Sequence, residues 1–263
     1  MRNINDYVEK YYNEPFEPYM VQIRKNNIIK QLQKYRHVNI LEIGCGLSPL
    51  FLDFQGFKNM VIVEPGEDFV VNARSLSEKK CGIQIFQGFF EDYVDKLKKL
   101  AIGFDFIVCS SLIHEIDNPQ KMLIAIRDVA NENTIIHINV PNAQSFHRIL
   151  AKEMGMIENI HEQSAQMKFM QRQRTYDIDL LKQEINDAGL VVIDSGSYFI
   201  KPFTHSQLQR GLDEKIIDEE VLDGLVKMEK YLPGMGAEIY VNCKKSNLVI
   251  CHSSFSKVFK ANT

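Results

Sequence analysis

Two glycines and two acids mark a candidate binding turn early in the chain. The segment Glu42-Ile43-Gly44-Cys45-Gly46 closes a run of apolar residues, and Glu64 closes a second run 18 residues beyond Gly46. Glycine allows a tight turn in which the backbone approaches a ligand closely. A carboxylate at the end of the second run can accept both hydroxyls of a ribose. The spacing therefore predicts a nucleoside-binding turn.

The acid before the turn and the residue after it indicate which nucleoside fits. The dinucleotide fingerprint G-x-G-x-x-G needs a third glycine for helix–strand packing, and Pro49 stands at that position. A pyrophosphate would be repelled by the Glu42 carboxylate, whereas a cationic ligand would be attracted to it. S-adenosylmethionine carries a sulfonium and an ammonium, and no phosphate. We expect S-adenosylmethionine as the cofactor and S-adenosylhomocysteine as its product, with an NAD-dependent Rossmann enzyme as the alternative.

Alternating strand and helix patterns must position these residues. Apolar runs predict five strands, at residues 39–43, 59–65, 83–86, 104–110 and 134–140. Helical patterns lie between them, one beginning near Pro49 and one at 118–130 with Asn118 as its cap. Strands this apolar are usually covered on both faces, so the pattern predicts an α/β fold with a parallel sheet.

The second half of the chain predicts two more strands and two insertions. An amphipathic helix at 175–190 precedes a strand at 190–200, and the last strand lies at 237–245. We expect an N-terminal helical lid over residues 1–37 and a main domain over 38–245. The main domain carries cap insertions at about 142–175 and 201–235, and residues 246–263 form a tail.

Composition narrows the class of protein. The 263 residues carry a net charge of −3, so no basic excess indicates nucleic acid. The five cysteines are widely spaced and form no Cys/His cluster, and Asp117-Asn118 alone is too little for a metal site, so we expect reduced thiols and no metal. No apolar signal region opens the chain and no apolar run approaches 18 residues, so we expect a cytoplasmic protein without a membrane partner. The sequence leaves open whether the protein forms a homodimer.

Three motifs resemble a known family. The segments LEIGCG, VIVEPG and FDFIVCSSLIHEIDNP are similar to the first, second and fourth motifs of class I S-adenosylmethionine-dependent methyltransferases, in the branch of the ubiquinone O-methyltransferases. The resemblance covers roughly residues 38–140. It implies a Rossmann-like sheet of seven strands with the last strand antiparallel. The chain departs from the family pattern at Ser48, where a third glycine is usual, and at His114-Glu115, where the order Glu-His is common.

Later segments resemble a narrower bacterial group. VPNAQSFHRILAKEMGMI, YFIKPFTHSQL and YLPGMGAEIYV are similar to methyltransferases associated with surface-polysaccharide (capsule or O-antigen) biosynthesis, over about residues 139–241. This resemblance implies a small-molecule acceptor, such as a sugar-, nucleotide- or phosphate-linked precursor or a phosphoramidate. We expect methylation of an oxygen. N-methylation of an amino sugar and a non-catalytic S-adenosylmethionine-binding partner are the alternatives.

Candidate site residues divide by role. The turn and the acids at its ends are candidates for the cofactor, and the resemblance adds the residues after the third and fourth strands, with Glu91 as a helix cap. The cofactor candidates are Glu42, Gly44, Cys45, Gly46, Glu64, Phe89, Phe90, Ser110 and Ser111. The catalytic candidates, which supply imidazole, carboxylate or ammonium groups near the acceptor, are His114, Glu115, His147, Lys201 and His205. Arg148, Tyr11 and Tyr12 are the candidates for binding the acceptor, the two tyrosines as part of the lid.

Overall fold

One seven-stranded sheet organises the protein. The computed structural model describes residues 14–100, 102–163 and 173–246. The strands are β1 Asn39–Ile43, β2 Asn59–Glu64, β3 Ile83–Gln87, β4 Phe106–Ser110, β5 Ile135–Pro141, β6 Leu190–Tyr198 and β7 Glu238–Lys245. Their order is β3-β2-β1-β4-β5-β7-β6. The first five strands pair in parallel, and β7 runs antiparallel to both β5 and β6. The predicted Rossmann-like sheet of seven strands is confirmed.

α-Helices connect the consecutive strands, except β1 and β2, which a 3₁₀ turn joins. The α-helices of the described residues are α1 Glu17–Leu32, α2 Glu67–Ser77, α3 Val94–Lys99, α4 Pro119–Val129, α5 Phe146–Glu153, α6 Ile178–Asp187, α7 His205–Asp213 and α8 Glu219–Lys227. The predicted cap of α4 is confirmed, because the Asn118 side chain accepts a hydrogen bond from the Lys121 amide at 3.0 Å. No helix in the described parts of the chain has the length and apolar character needed to cross a membrane.

The prediction of an α-helix beginning near Pro49 is wrong. A single 3₁₀ turn spans Leu50–Leu52, and the chain then runs without helical structure through Gly56 into β2. Proline can begin a helix, but glycine a few residues later disfavours its continuation. The first glycine turn therefore leads into a short buried turn, in which Leu50 and Phe51 pack into the core.

Both faces of the sheet are covered, which the apolar strands predict. Alternate residues of a strand point to opposite faces, and β1 follows this rule. Leu41 belongs to the core cluster that contains α4 and α6, while Ile40 belongs to the cluster that contains α1 and α2. The carboxyl ends of β1 to β4 are thus held at one rigid edge, where an α/β sheet binds its ligands.

A third apolar cluster joins the start of the chain to the second insertion. Phe16 and Met20 pack with Phe199 after β6, Leu208 of α7 and Leu222 of α8. Helix α1 is therefore held from two sides, by the sheet face and by the insertion.

Candidate active site

The glycine turn adopts a backbone that favours glycine. Gly44 has φ +74° and Gly46 has φ +55°, both left-handed. A residue with a side chain would cost about 1–2 kcal/mol in this conformation. The Gly44 amide donates to the Val63 carbonyl at 2.9 Å, which anchors the turn to β2. The turn therefore presents backbone in place of side chains at the carboxyl end of β1.

Glu64, the last residue of β2, is held against this turn. Its Oε2 accepts a hydrogen bond from the Gly46 amide at 3.2 Å, and its Oε1 accepts from the Gly66 amide at 2.8 Å. The side chain is buried. Two backbone donors thus orient a carboxylate toward the cavity next to the turn, as a ribose-binding acid requires.

Glu42 performs a structural task within the same turn. Both carboxylate oxygens accept from the Leu50 amide, at 3.1 Å each. Burial raises the pKa of Glu42 to about 7, and the charge of Glu64 raises it further, while the Leu50 amide and the charge of Lys25 act in the opposite direction. The acid predicted to attract a cation therefore also closes the loop from β1 to the 3₁₀ turn, and it exchanges a proton near neutral pH.

A cavity of about 390 Å³ opens at this edge of the sheet, between the strand ends and α1. All nine residues predicted to bind the cofactor line it: Glu42, Gly44, Cys45, Gly46, Glu64, Phe89, Phe90, Ser110 and Ser111. They come from the ends of β1, β2 and β4 and from the loop after β3, which are neighbours in the sheet. The topology accordingly collects them in one place.

Glu91 differs from its prediction. Neither the 3₁₀ turn Phe90–Tyr93 nor α3 has a side-chain cap, so the proposed helix cap is wrong. Glu91 lies inside the 3₁₀ turn and lines the cavity. Its Oε2 is buried and has no hydrogen-bond partner among the described residues. Phe89 beside it is 48% exposed and Phe90 is in the core, so this end of the cavity combines an aromatic wall with an unused hydrogen-bond acceptor.

The end of β4 turns sharply into the cavity wall. Ser111 has φ +52°, and its amide donates to the Asn139 carbonyl at 2.9 Å. Of the next two candidates, Glu115 lines the cavity and His114 does not. His114 is 1% exposed, and its Nε2 lies 3.6 Å from Oε1 of Glu115. The carboxylate therefore reaches the cavity, and the imidazole contacts that carboxylate from behind.

The other acceptor-side candidates are not part of this cavity. Its described lining residues include none of His147, Arg148, Lys201 and His205. Arg148 donates to the Ile160 and Glu162 carbonyls, which it holds together as an internal brace of the first insertion. His205 packs its ring 5.3 Å from that of Phe16. Tyr11 and Tyr12 lie outside the described residues.

His147 and two cations form a separate group. Burial lowers the pKa of His147 to about 2, and the charges of Lys201 and Arg148 lower it further. This histidine is consequently neutral at every physiological pH. Its Nδ1 is buried without a hydrogen-bond partner among the described residues.

Helix α1 supplies cavity residues that the sequence did not single out. Glu17, Arg24 and Lys25 line the cavity with Val21 and Ile28. Arg24 Nη1 lies 2.6 Å from Glu17 Oε1, and Lys25 Nζ donates to Ser48 Oγ at 2.8 Å and pairs with Asp53. The signal in the sequence was the helical spacing: charged residues share a face with apolar ones, which is unusual for a helix that packs only on a core.

The cavity carries an excess of negative charge. Six carboxylates line it, against three cations. The carboxylates are Glu17, Glu42, Glu64, Glu91, Glu115 and Asp117, and the cations are Arg24, Lys25 and Lys121. Arg24 and Lys25 are buried and already paired with carboxylates, and Lys121 is exposed.

These residues fit S-adenosylmethionine. The unpartnered Oε2 of Glu91 can accept from an adenine amino group, and Glu64 can accept from ribose hydroxyls. The glycine turn leaves room for the ligand beside the backbone. The excess of carboxylates suits a ligand with a sulfonium and an ammonium. A dinucleotide pyrophosphate would meet carboxylates instead of paired backbone donors and cations.

The comparison with known proteins agrees with this geometry. A family described as "Methyltransferase domain" matches residues 14–195. This chain belongs to that family, the class I S-adenosylmethionine-dependent methyltransferases, and S-adenosylmethionine is its cofactor. No curated protein matches the chain.

Solved structures share the fold at low sequence identity. The plantazolicin methyltransferase BamL, in complex with a triazolic desmethylPZN analog and S-adenosylhomocysteine, has a TM-score of 0.58 and 14% identity, with 91% of each chain covered. A methyltransferase from Thermotoga maritima has a TM-score of 0.57 and 16% identity, covering 92% of this chain and 96% of its own. The N-methyltransferase NodS from Bradyrhizobium japonicum has a TM-score of 0.52 and 9% identity, with 90% of each chain covered.

Proposed function

We propose that this methyltransferase methylates an oxygen of a small acceptor rich in hydroxyl groups. The observation that carries the proposal is the continuity of the cavity. It runs from the glycine turn past Ser110 and Ser111 to the carboxylates of Glu115 and Asp117 and to α1. Carboxylates bind hydroxyl groups by accepting their hydrogen bonds.

When bound, S-adenosylmethionine supplies a methyl group on a positively charged sulfur. The protein has to align the acceptor oxygen with that group and to accept the proton of the hydroxyl. Glu115 is the candidate base because it lines the cavity, and His114 is a positioning residue 3.6 Å from it. Helix α1 covers the cavity and keeps water from the reacting groups.

The class of acceptor follows from the resemblance of the second half of the chain. That resemblance supports a sugar precursor of a surface polysaccharide, including nucleotide-, phosphate- or phosphoramidate-linked forms. The charge of the cavity adds a condition. Because its carboxylates outnumber its cations, a phosphate on such a precursor has to remain outside the cavity. The group of His147, Arg148 and Lys201, which does not line the cavity, is the candidate for holding it.

The test is a methylation assay with a panel of precursors. The protein is incubated with S-adenosylmethionine and neutral, amino-, nucleotide- and phosphate-linked sugars, and mass spectrometry detects the gain of one methyl group. We expect one class of sugar to gain a methyl on oxygen, and Glu64→Ala to slow the gain. A protein that binds S-adenosylhomocysteine but methylates none of them would support a non-catalytic binding partner instead.

N-methylation of an amino sugar is the second candidate. The observation in its favour is the excess of carboxylates in the cavity, which attracts a protonated amine. Fragmentation of the methylated product distinguishes the two reactions, because the added methyl stays with the nitrogen or with an oxygen.

A further inference from the structure

A buried lysine lies between helix α1 and the glycine turn. The Lys25 side chain is 5% exposed, and the residue lines the cavity together with Ser48 of the turn. Its Nζ donates to Ser48 Oγ at 2.8 Å and pairs with Asp53 beyond the turn. Burial raises the pKa of Glu42 at the start of the turn, and the charge of Lys25 acts against that shift, so the two side chains are close. A positive charge is thus fixed beside the segment that follows β1.

The ammonium group of Lys25 has more donors than the described residues accept. An ammonium carries three N–H donors. Within the described part of the chain, Lys25 has two acceptors, Ser48 Oγ and Asp53 Oδ2. The hydroxyl at position 48, where the family usually has a glycine, orients the ammonium by accepting one of its hydrogen bonds. One donor therefore remains for a group that enters the cavity.

The other two cations among the described lining residues have different surroundings. Arg24 lies between two buried carboxylates, 2.6 and 3.2 Å from its nitrogens. Lys121 is exposed, so water screens its charge. Lys25 pairs with one carboxylate, and that partner, Asp53, is itself exposed to water. Lys25 is therefore the buried cation of the cavity with the least compensating charge.

The cofactor brings a group that needs such a cation. S-adenosylmethionine ends in an amino acid with one ammonium and one carboxylate. The excess of carboxylates in the cavity attracts the ammonium and the sulfonium but repels the carboxylate. Glu64 accepts a hydrogen bond from the Gly46 amide, so a ribose held by Glu64 lies at the same turn as Lys25. The carboxylate and the lysine accordingly belong to the same end of the cavity.

We propose that Lys25 binds the carboxylate of the amino-acid part of S-adenosylmethionine. A charge-assisted hydrogen bond of this kind is roughly twice as strong as one between neutral groups. Because Lys25 belongs to α1, the contact also joins the helix that covers the cavity to the ligand inside it. The inference concerns the cofactor, and it does not depend on which acceptor is methylated.

Two ligands that differ by one group test the inference. S-adenosylhomocysteine and its decarboxylated form, 5′-deoxy-5′-(3-aminopropylthio)adenosine, are titrated into the protein by calorimetry. Without a cation at the carboxylate, the negative cavity would favour the decarboxylated ligand. We expect S-adenosylhomocysteine to bind roughly tenfold or more tightly than the decarboxylated ligand. Equal affinities, or tighter binding of the decarboxylated ligand, overturn the inference.

A variant of Lys25 locates the contact. In Lys25→Met the preference for S-adenosylhomocysteine should fall to about threefold or less, because only the ligand with the carboxylate loses a charge-assisted hydrogen bond. Lys30→Met, at an exposed position of the same helix, should retain the wild-type preference. If Lys25→Met lowers both affinities equally and keeps the preference, Lys25 is a structural residue and the inference is wrong.

Asp53→Asn separates the ligand contact from the attachment of α1. This variant removes the same ion pair but leaves the Lys25 ammonium in place, and Asp53 is not among the described residues that line the cavity. We expect the preference for S-adenosylhomocysteine to be retained or to increase, since no carboxylate of the protein competes for the lysine. A loss of preference as large as in Lys25→Met would assign the effect to the ion pair and overturn the inference. The methylation assay tests the acceptor separately, so either proposal can fail while the other holds.

Discussion

Glu64 joins two tasks in one side chain. Its carboxylate accepts from two glycine amides, and through them it ties β2 to the glycine turn after β1. The same carboxylate lines the cavity, where a ribose would meet it. A residue with both roles should affect ligand binding strongly and the fold more weakly, because each backbone donor can bind water when the acid is lost.

Replacing Glu64 by alanine is expected to weaken S-adenosylhomocysteine binding roughly tenfold or more. The physical reason is the loss of charge-assisted hydrogen bonds to the ribose. Isothermal calorimetry measures the affinity. Glu67→Gln is the matched control, since Glu67 is exposed at the start of α2 and does not line the cavity. Equal affinity of Glu64→Ala and the wild type would remove Glu64 from the ribose site.

Glu115 and His114 can be separated by kinetics. With the acceptor that the panel identifies, Glu115→Gln is expected to lower kcat by about a hundredfold or more, as the loss of a general base does. His114→Gln should slow turnover less, because His114 does not line the cavity. Its Nε2 lies 3.6 Å from Oε1 of Glu115, so His114 affects the reaction through that carboxylate. Both variants should bind S-adenosylhomocysteine with nearly wild-type affinity. A His114 variant more impaired than the Glu115 variant would reverse these roles.

At the scale of elements, α1 and the loop after β1 hold each other in place. Lys25 of α1 bonds Ser48 at 2.8 Å and pairs with Asp53, so it attaches the helix to both ends of the 3₁₀ turn. The Leu50 amide between these contacts is bound by Glu42. The cover of the cavity and its floor are thus one connected structure.

Lys25→Met is expected to reduce the free energy of unfolding by roughly 1 kcal/mol, because it removes the hydrogen bond to Ser48 and the ion pair with the exposed Asp53. Affinity for S-adenosylhomocysteine should also fall, since the turn loses its attachment to α1. Urea unfolding and calorimetry measure the two effects. Lys30→Met, at an exposed position of the same helix, is the control. Unchanged stability in Lys25→Met would show that α1 is held by its apolar contacts alone.

At the scale of the whole molecule, two buried groups, His137 and Glu42, change the pH dependence of stability in opposite directions. His137 in β5 donates from Nδ1 to Oδ1 of Asn242 at 2.8 Å, and it is fully buried. Burial lowers its pKa to about 4, and the charge of Lys34 lowers it further, against the Asn242 hydrogen bond and the charge of Asp194. Glu42, whose pKa is raised to about 7, has the opposite shift.

His137→Gln is expected to remove part of the acid sensitivity of the protein. The unfolded histidine binds a proton below its ordinary pKa of about 6.5, while the folded one stays neutral down to about 4. Its contribution to stability is therefore complete above pH 6.5 and decreases as the pH falls from 6.5 to 4, by about 2 kcal/mol at pH 5. Urea unfolding at pH 7, 6 and 5 measures the difference between variant and wild type. A constant difference would contradict the assignment.

Glu42→Gln is expected to change the pH dependence in the reverse sense. The folded carboxyl keeps its proton up to about pH 7, while the unfolded one loses it near 4.5. Stability therefore decreases as the pH rises from 4.5 to 7, a loss of order 2–3 kcal/mol that the amide does not suffer. In the same unfolding series, the free energy of unfolding of the variant relative to that of the wild type should increase toward pH 7. S-adenosylmethionine affinity should fall in the variant at pH 8, because an ionised carboxylate is lost.

Much of the fold was readable from local patterns. The apolar strands, the Asn118 cap and the glycine turn each depend on residues close together in the chain. The α-helix predicted to begin near Pro49 shows the limit of this reasoning. Proline favours the start of a helix, but the glycine that follows disfavours its continuation, and only a 3₁₀ turn forms. Glu91 is a second example of this limit. It is close to a helix in the sequence, but in the structure it lines the cavity.

The sequence by itself determined the sheet, the family resemblance and the nine cofactor candidates that line the cavity, because parallel strands bring their carboxyl ends to one edge. Only the tertiary structure decided which side chains reach the acceptor end. Glu17, Arg24 and Glu115 line the cavity there, whereas His147, Lys201 and His205 do not. The physical reason is that these positions depend on how α1 and the insertions pack over the sheet, through contacts such as Arg24 with Glu238 that join residues 214 positions apart.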